Sequence, residues 1–212
     1  MARKNDNLPL ASLTAKATSA ITTSGLLVKF DTDEDYFVIA GVGADPLGVL
    51  PTTADANENC DITTAGVVPV RLGGTVADQT YFETDSAGRA VTATGLRPVG
   101  GKVITGGAVN ELRSAILGAK PSGVIYGAAV ASAAAIVPTG NVFHVTGTTN
   151  ITSITSTGIL AGARITIIFD GILTFTDGSN LVLAGNLVTT ADDTISLVYD
   201  GTNWYETARS VN

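Results

Sequence analysis

From Leu26 onward, apolar residues come in short runs broken by turn residues, and helical spacing is nowhere sustained. Runs rich in β-branched and aromatic residues, bounded by Gly, Asp, Asn and Ser, read as strands. Leu26-Leu27-Val28-Lys29-Phe30 and Tyr36-Phe37-Val38-Ile39-Ala40 form such a pair, and the acidic link Asp31-Thr32-Asp33-Glu34-Asp35 reads as their hairpin loop. Further strands are expected at 47–50, 67–72, 79–83, 90–92 and 98–104. Residues 109–117 are ambiguous, since Glu111, Arg113 and Leu117 suit a helix turn, but the alternation of Leu112, Ser114 and Ile116 favours a strand. Asp85-Ser86-Ala87-Gly88 has turn chemistry, with Asp closing an Asx-turn and Gly supplying a positive φ. Pro69, inside a strand pattern, points to an edge or a bulge.

The second half is as strongly β, with strands expected at 142–146, 164–169, 172–176, 194–199 and 203–207. Asp170-Gly171, Asp177-Gly178 and Asp200-Gly201 lie between such runs, and Asp-Gly suits the positive φ values of a type I′ hairpin turn. Gly185-Asn186 marks a further turn, and a helix, if any, is a short one at 131–135. Lys120-Pro121-Ser122-Gly123 is linker-like and coincides with a shift in composition: ten of the 12 basic residues lie at or before Lys120. Residues 1–23 show no persistent period and carry Arg3, Lys4 and Lys16 against Asp6. They read either as a frayed terminus or as a basic arm that orders on a partner. The expected organisation is all-β: an extended arm (1–23), a small barrel- or sandwich-like domain (24–120) and a second β-rich domain (121–212), sandwich- or tulip-like.

Composition narrows the function. The 212-residue chain has a net charge of −7, is 45% hydrophobic, but is only 15% charged. That is too hydrophobic and too weakly charged for a disordered chain. With so few cations it lacks the clustered Lys and Arg that phosphate neutralisation needs, so no nucleic-acid partner is expected. No apolar core follows the charged start and no run approaches ~20 apolar residues, so neither a secretory signal nor a membrane partner is expected. One Cys permits no internal disulfide and no thiolate-rich metal site. A surface dominated by Thr, Ser, Asn, Gly and Ala suits contact with copies of itself or with a large partner.

The catalytic inventory is thin. His144 is the single histidine, in a β run and without a nucleophile elbow elsewhere, and reads as a structural or surface residue. Cys60 has acidic neighbours, which raise a thiol pKa and oppose activation, so it reads as an inert, partly buried thiol. Asp31-x-Asp33-x-Asp35 imitates the start of an EF-hand loop, but Tyr36 and Val42 stand where Gly and Glu are required. Gly73-Gly74, Gly100-Gly101 and Gly106-Gly107 lack dinucleotide-loop spacing, and Asn150-Ile151-Thr152 is a bare sequon. No cofactor and no enzymatic activity are expected. Trp204 and Tyr205 are adjacent in a strand, so one faces in and the other out. Core packing is the default for Trp204, which leaves Tyr205 as a candidate surface contact.

Several short motifs resemble tailed-bacteriophage capsid decoration (cement) proteins. They are Gly25-Leu26-Leu27-Val28-Lys29-Phe30, Pro46-Leu47-Gly48-Val49, the stretch Val67 to Leu72 with Gly73-Gly74-Thr75-Val76, Asp85-Ser86-Ala87-Gly88-Arg89-Ala90 and Pro98-Val99-Gly100. Phe143-His144-Val145-Thr146-Gly147, the run 162–169 and Tyr199-Asp200-Gly201-Thr202-Asn203-Trp204-Tyr205-Glu206 resemble accessory β modules of phage heads and fibres. The resemblance implies a homotrimer on three-fold or quasi-three-fold positions of the outer capsid surface, bound to the major capsid protein. It also implies an N-terminal arm that adds to the capsid, with Arg3, Lys4, Pro9, Leu10 and Lys16 as its contact residues. The alternative is a fibre or receptor-binding module that takes a host-surface glycan through the C-terminal domain, with Tyr205 as its aromatic contact.

Overall fold

The computed structural model describes residues 11–212. The fold is all-β, with no helix among the described residues. The chain divides into two compact units, one formed by the described residues up to Thr92 together with Pro98–Lys120, the other by Ala93–Arg97 and Pro121–Asn212.

The first unit holds β1 (Ser12–Ala17), β2 (Leu26–Phe30), β3 (Tyr36–Ile39), β4 (Gly48–Leu50), β5 (Asn59–Thr63), β6 (Gly66–Arg71), β7 (Tyr81–Thr84), β8 (Ala90–Thr92), β9 (Gly101–Val103) and β10 (Leu112–Leu117). Strands β1 to β5 form a closed barrel in the order β1-β3-β2-β4-β5. β1 closes it, pairing antiparallel with β5 from Ser12↔Thr63 to Lys16↔Asn59 and parallel with β3 at Lys16↔Tyr36. Strands β6 to β10 form a second sheet in the order β6-β10-β9-β7-β8, and a bridge between Leu72 and Ala90 draws its two ends together.

The unbroken apolar run of β2 has a direct explanation. Successive strand residues face opposite sides. Leu26 and Val28 pack in the barrel core with Phe37, Leu50 and Ile62. Leu27, between them, packs in the other core with Val68, Val70, Leu72, Phe82 and Val103. One strand therefore serves two cores. Pro69 lies on β6, an edge strand of its sheet, where a missing N–H costs no ladder bond.

The second unit holds β11 (Val130–Ala131), β12 (Ala135–Ile136), β13 (Val142–Thr146), β14 (Ser153–Ile154), β15 (Arg164–Phe169), β16 (Thr174–Phe175), β17 (Leu181–Val182), β18 (Leu187–Val188), β19 (Thr194–Tyr199) and β20 (Trp204–Ser210). A six-stranded sheet runs β11-β13-β15-β19-β20-β17, and β12-β14 and β16-β18 make two small sheets. All three sheets contribute to one core, in which Phe143, Phe169, Phe175 and Trp204 are fully buried. β11, β13 and β15 pair in parallel, as do β12 and β14, so the chain winds through this unit before closing on the β19–β20 hairpin.

Three expectations need correction. Residues 1–23 are not an arm throughout: from Ser12 the chain is a barrel strand, with Ala15, Ala17 and Ile21 buried. Residues 93–97 belong to the second unit, because Leu96 is buried in its core and Leu160 N–H donates to Leu96 O. Of the three Asp-Gly pairs, Asp200-Gly201 does join two paired strands, but through a four-residue loop in which the Asp200 carboxylate accepts from Thr202 and Asn203 N–H. Asp170-Gly171 instead passes the chain from β15 to β16, which lie in different sheets. Asp177-Gly178 precedes a tight turn closed between Gly178 and Leu181. The stretch at 131–135 joins two short strands and is not helical.

Candidate functional site

Segments of the first unit that are far apart in sequence meet along one seam between barrel and second sheet. Gly25 N–H donates to Leu50 O (2.8 Å), and its own carbonyl accepts from Arg71 N–H (2.8 Å). Leu27 N–H donates to Gly88 O (2.7 Å), and Leu27 O accepts from Ala40 N–H (2.9 Å). Gly88 has φ +72°, and a Cβ there would stand 2.5 Å from Ile39 Cγ2 and 2.7 Å from Leu27 O. The turn that presents Gly88 is held by Asp85: one carboxylate oxygen accepts from Ala87 and Arg89 N–H, and the other meets the Arg89 guanidinium at 2.8 Å. Pro46 approaches Gly100 in the same unit, 3.2 Å from where a Cβ would be.

Each unit has an outward sheet face of its own. On the second sheet the register lines up Val67, Ile116, Lys102 and Tyr81 as one row across β6, β10, β9 and β7. On the second unit, Arg164 stands opposite Val198, Val198 opposite Tyr205, and Tyr205 opposite Val182. Trp204 is 0% exposed, donating from Nε1 to Ser156 Oγ at 2.9 Å with the Tyr199 ring 4.9 Å away, whereas Tyr205 is 38% exposed. The inside–outside split of this aromatic pair is the one its alternation predicts.

Arg3, Lys4, Pro9 and Leu10 lie outside the described residues. Lys16 does not extend from the body: it is paired in β1, with Nζ 5.7 Å from the centre of the Tyr36 ring. His144 Nδ1 lies 2.5 Å from Asp170 Oδ1, and its ring is 6.2 Å from that of Tyr126. Cys60 is buried, and desolvation, with Glu58 and Asp61 adding to it, pushes the thiol above its ordinary pKa. Asp31 is held below the usual carboxylate range by the Thr32 N–H and the Thr18 hydroxyl. The β2–β3 loop is closed by backbone bonds, Asp31 N–H to Tyr36 O and Tyr36 N–H to Asp33 O, and no group of three or more His, Cys, Asp or Glu suited to a metal occurs among the described residues. In the second unit, Asp193 and Asp200 are lowered mainly by backbone N–H donors, and Glu206 mainly by Arg209.

No family model matches the chain, and no curated protein matches it. Among solved structures, the head fiber gp8.5 N base of bacteriophage phi29 is similar over 53% of this chain and 98% of that one, at 18% identity and a TM-score of 0.46.

Proposed function

We propose that the protein is a structural component of a tailed-phage virion, a homotrimer that sits on the outer capsid surface against the major capsid protein and braces neighbouring capsomers. The supporting observation is the seam. Gly25, Leu27, Leu72-Gly73 and the Asp85–Arg89 turn are the residues that carry the resemblance, and they are mutually bonded or packed in one unit. The physics of the role is undemanding for each copy, since symmetric assembly repeats a modest contact many times and many weak contacts act together.

A second reading draws on the exposed Tyr205 beside Arg164, Val198 and Val182: a fibre module that stacks a host glycan on this face. Copy number in purified particles separates the two. Copies throughout the lattice at local three-fold positions support decoration. A few copies at one vertex or at the tail tip overturn it in favour of the fibre.

A further inference from the structure

We propose that the outer face of the β6–β10–β9 sheet is the surface with which the protein docks on the shell, and that the shell surface it meets is apolar at its centre and rimmed by carboxylates. This rests on the decoration reading above. The face is built around a cross-strand pair: Val67, 54% exposed, stands opposite Ile116, 41% exposed. Pro69 lies opposite Ser114, and Leu112, 40% exposed, opposite Arg71. Three large aliphatic side chains left open on one sheet face are an interaction signature, because scattered single exposures are common and clustered ones are not.

Charge identifies the partner. The Arg71 guanidinium donates to Ser24 O, Ser24 Oγ and Asn110 O, all neutral acceptors. Lys102, opposite Ile116, lies with Nζ 5.5 Å from the Tyr81 ring centre. Elsewhere in the same unit Arg89 and Arg113 meet carboxylates, those of Asp85 and Glu111. The acid that shares this side of the sheet, Glu83 on β7, is buried. The barrel segment is the opposite: residues 11–65 carry Asp31, Asp33, Glu34, Asp35, Asp45, Asp55, Glu58 and Asp61 against Lys16 and Lys29. An acidic surface is therefore repelled from the barrel and drawn to this face. A second copy docked face to face would set Arg71 and Lys102 against themselves. A sugar would leave the aliphatic pair without an apolar partner. Pro69 on the edge strand opposes addition of a further strand, so contact is through the face.

The test adds full-length protein to capsids of the same phage stripped of it, and measures occupancy against concentration at two salt concentrations. The chains compared are the wild type, Val67→Asp with Ile116→Asp, Lys102→Glu and, as a control on the second unit, Thr207→Asp. Circular dichroism and thermal melting establish folding. If the double variant does not fold, Lys102→Glu and Leu112→Ser carry the test. The expected result is a loss of at least about tenfold for the face variants, no change for Thr207→Asp and wild-type binding that weakens with salt, as exposed charge pairs do. Wild-type occupancy by folded face variants overturns this assignment and leaves decoration standing. So does loss of binding confined to a chain lacking residues 1–10, which moves the contact to that segment, or a change of oligomeric mass in the face variants, which makes the face a copy–copy interface. Failure of the wild type to bind overturns the decoration reading itself.

Discussion

The two units reach stability by different routes. The first divides its apolar residues between two small, mainly aliphatic cores, with Phe37 and Phe82 as its fully buried aromatics. It depends on closure, through a strand of small residues at one end of the barrel and a glycine seam joining barrel to second sheet. The second unit gathers seventeen buried residues into one cluster around Phe143, Phe169, Phe175 and Trp204. A small β domain can thus be held by topology or by bulk. The first kind fails at a single backbone position or strand, the second at a large side chain.

Removing residues 1–23 is the strongest way to break the contrast. The deletion takes β1 out of the barrel, along with five cross-strand pairs to β5 and the burial of Ala15, Ala17 and Ile21. It also exposes the unpaired edges of β3 and β5. The expected outcome is an unfolded first unit beside a folded second one. Trp204, the single tryptophan, lies in the second unit, so its emission reports that unit alone. Emission should stay native while the overall β-type circular dichroism falls. An unchanged urea profile in both signals would show that β1 contributes nothing to closure.

Trp204→Ala strikes the other unit. Truncating a fully buried Trp costs about 3–5 kcal/mol, and here it also removes the indole N–H bond to Ser156 Oγ. Hydrogen exchange by mass spectrometry should show lost protection in β13, β15 and β19 and none lost in β2 to β5. Equal loss in both units would mean that they unfold as one.

What the sequence disclosed follows the same division between local and distant causes. β2, β8, β13, β15 and β19 have the bounds the apolar pattern predicts, because β-branched and aromatic residues mark them locally. β1 escaped notice because Ser-Leu-Thr-Ala-Lys-Ala buries only alanines, and its strand character is conferred by β5, more than forty residues away. The two-residue strands β11, β12, β14, β17 and β18 are too short to show a period. Asp-Gly specifies a turn but not which strands pair afterwards, so the parallel winding of the second unit was invisible. At the candidate surfaces, Tyr205 could be placed from its alternation with Trp204. The exposure of Val67 could not, since Val67-Val68 does not disclose which residue faces the core.

A smaller and sharper probe compares two glycines of the first unit. Gly88 and Gly118 have nearly the same φ, +72° and +74°, but a Cβ at Gly118 meets nothing within 4 Å. Gly118→Ala should therefore cost only the left-handed backbone penalty, about 1 kcal/mol. Gly88→Ala adds the collision with Ile39 and Leu27 O, for a total of about 2–3 kcal/mol. Chemical denaturation of both variants measures the difference. Equal costs would show that the seam yields freely and does not hold barrel and sheet together.

The smallest expected effect is a difference in acid sensitivity. Asp193, Asp200 and Glu206 in the second unit all titrate below their ordinary values in the folded chain. For Asp193 the main causes are the N–H groups of Asn212 and Thr190, for Asp200 those of Asn203 and Thr202, and for Glu206 the Arg209 guanidinium. A carboxylate whose folded pKa is depressed binds protons more weakly in the native state than in the unfolded one. Its contribution is complete above the unfolded value of about 4 and disappears as pH falls through the lowered folded value. Among the described residues of the first unit one carboxylate, Asp31, is lowered, against three in the second, so the second unit should lose stability more steeply below about pH 4. Urea denaturation followed by Trp204 emission at stepped pH reads this directly. Glu206→Gln should flatten the slope while leaving the hairpin's Asp200 caps in place. A variant with the wild-type slope would show that the Glu206–Arg209 pair is as strong in the unfolded chain as in the folded one, and would remove it from the account of what holds β20.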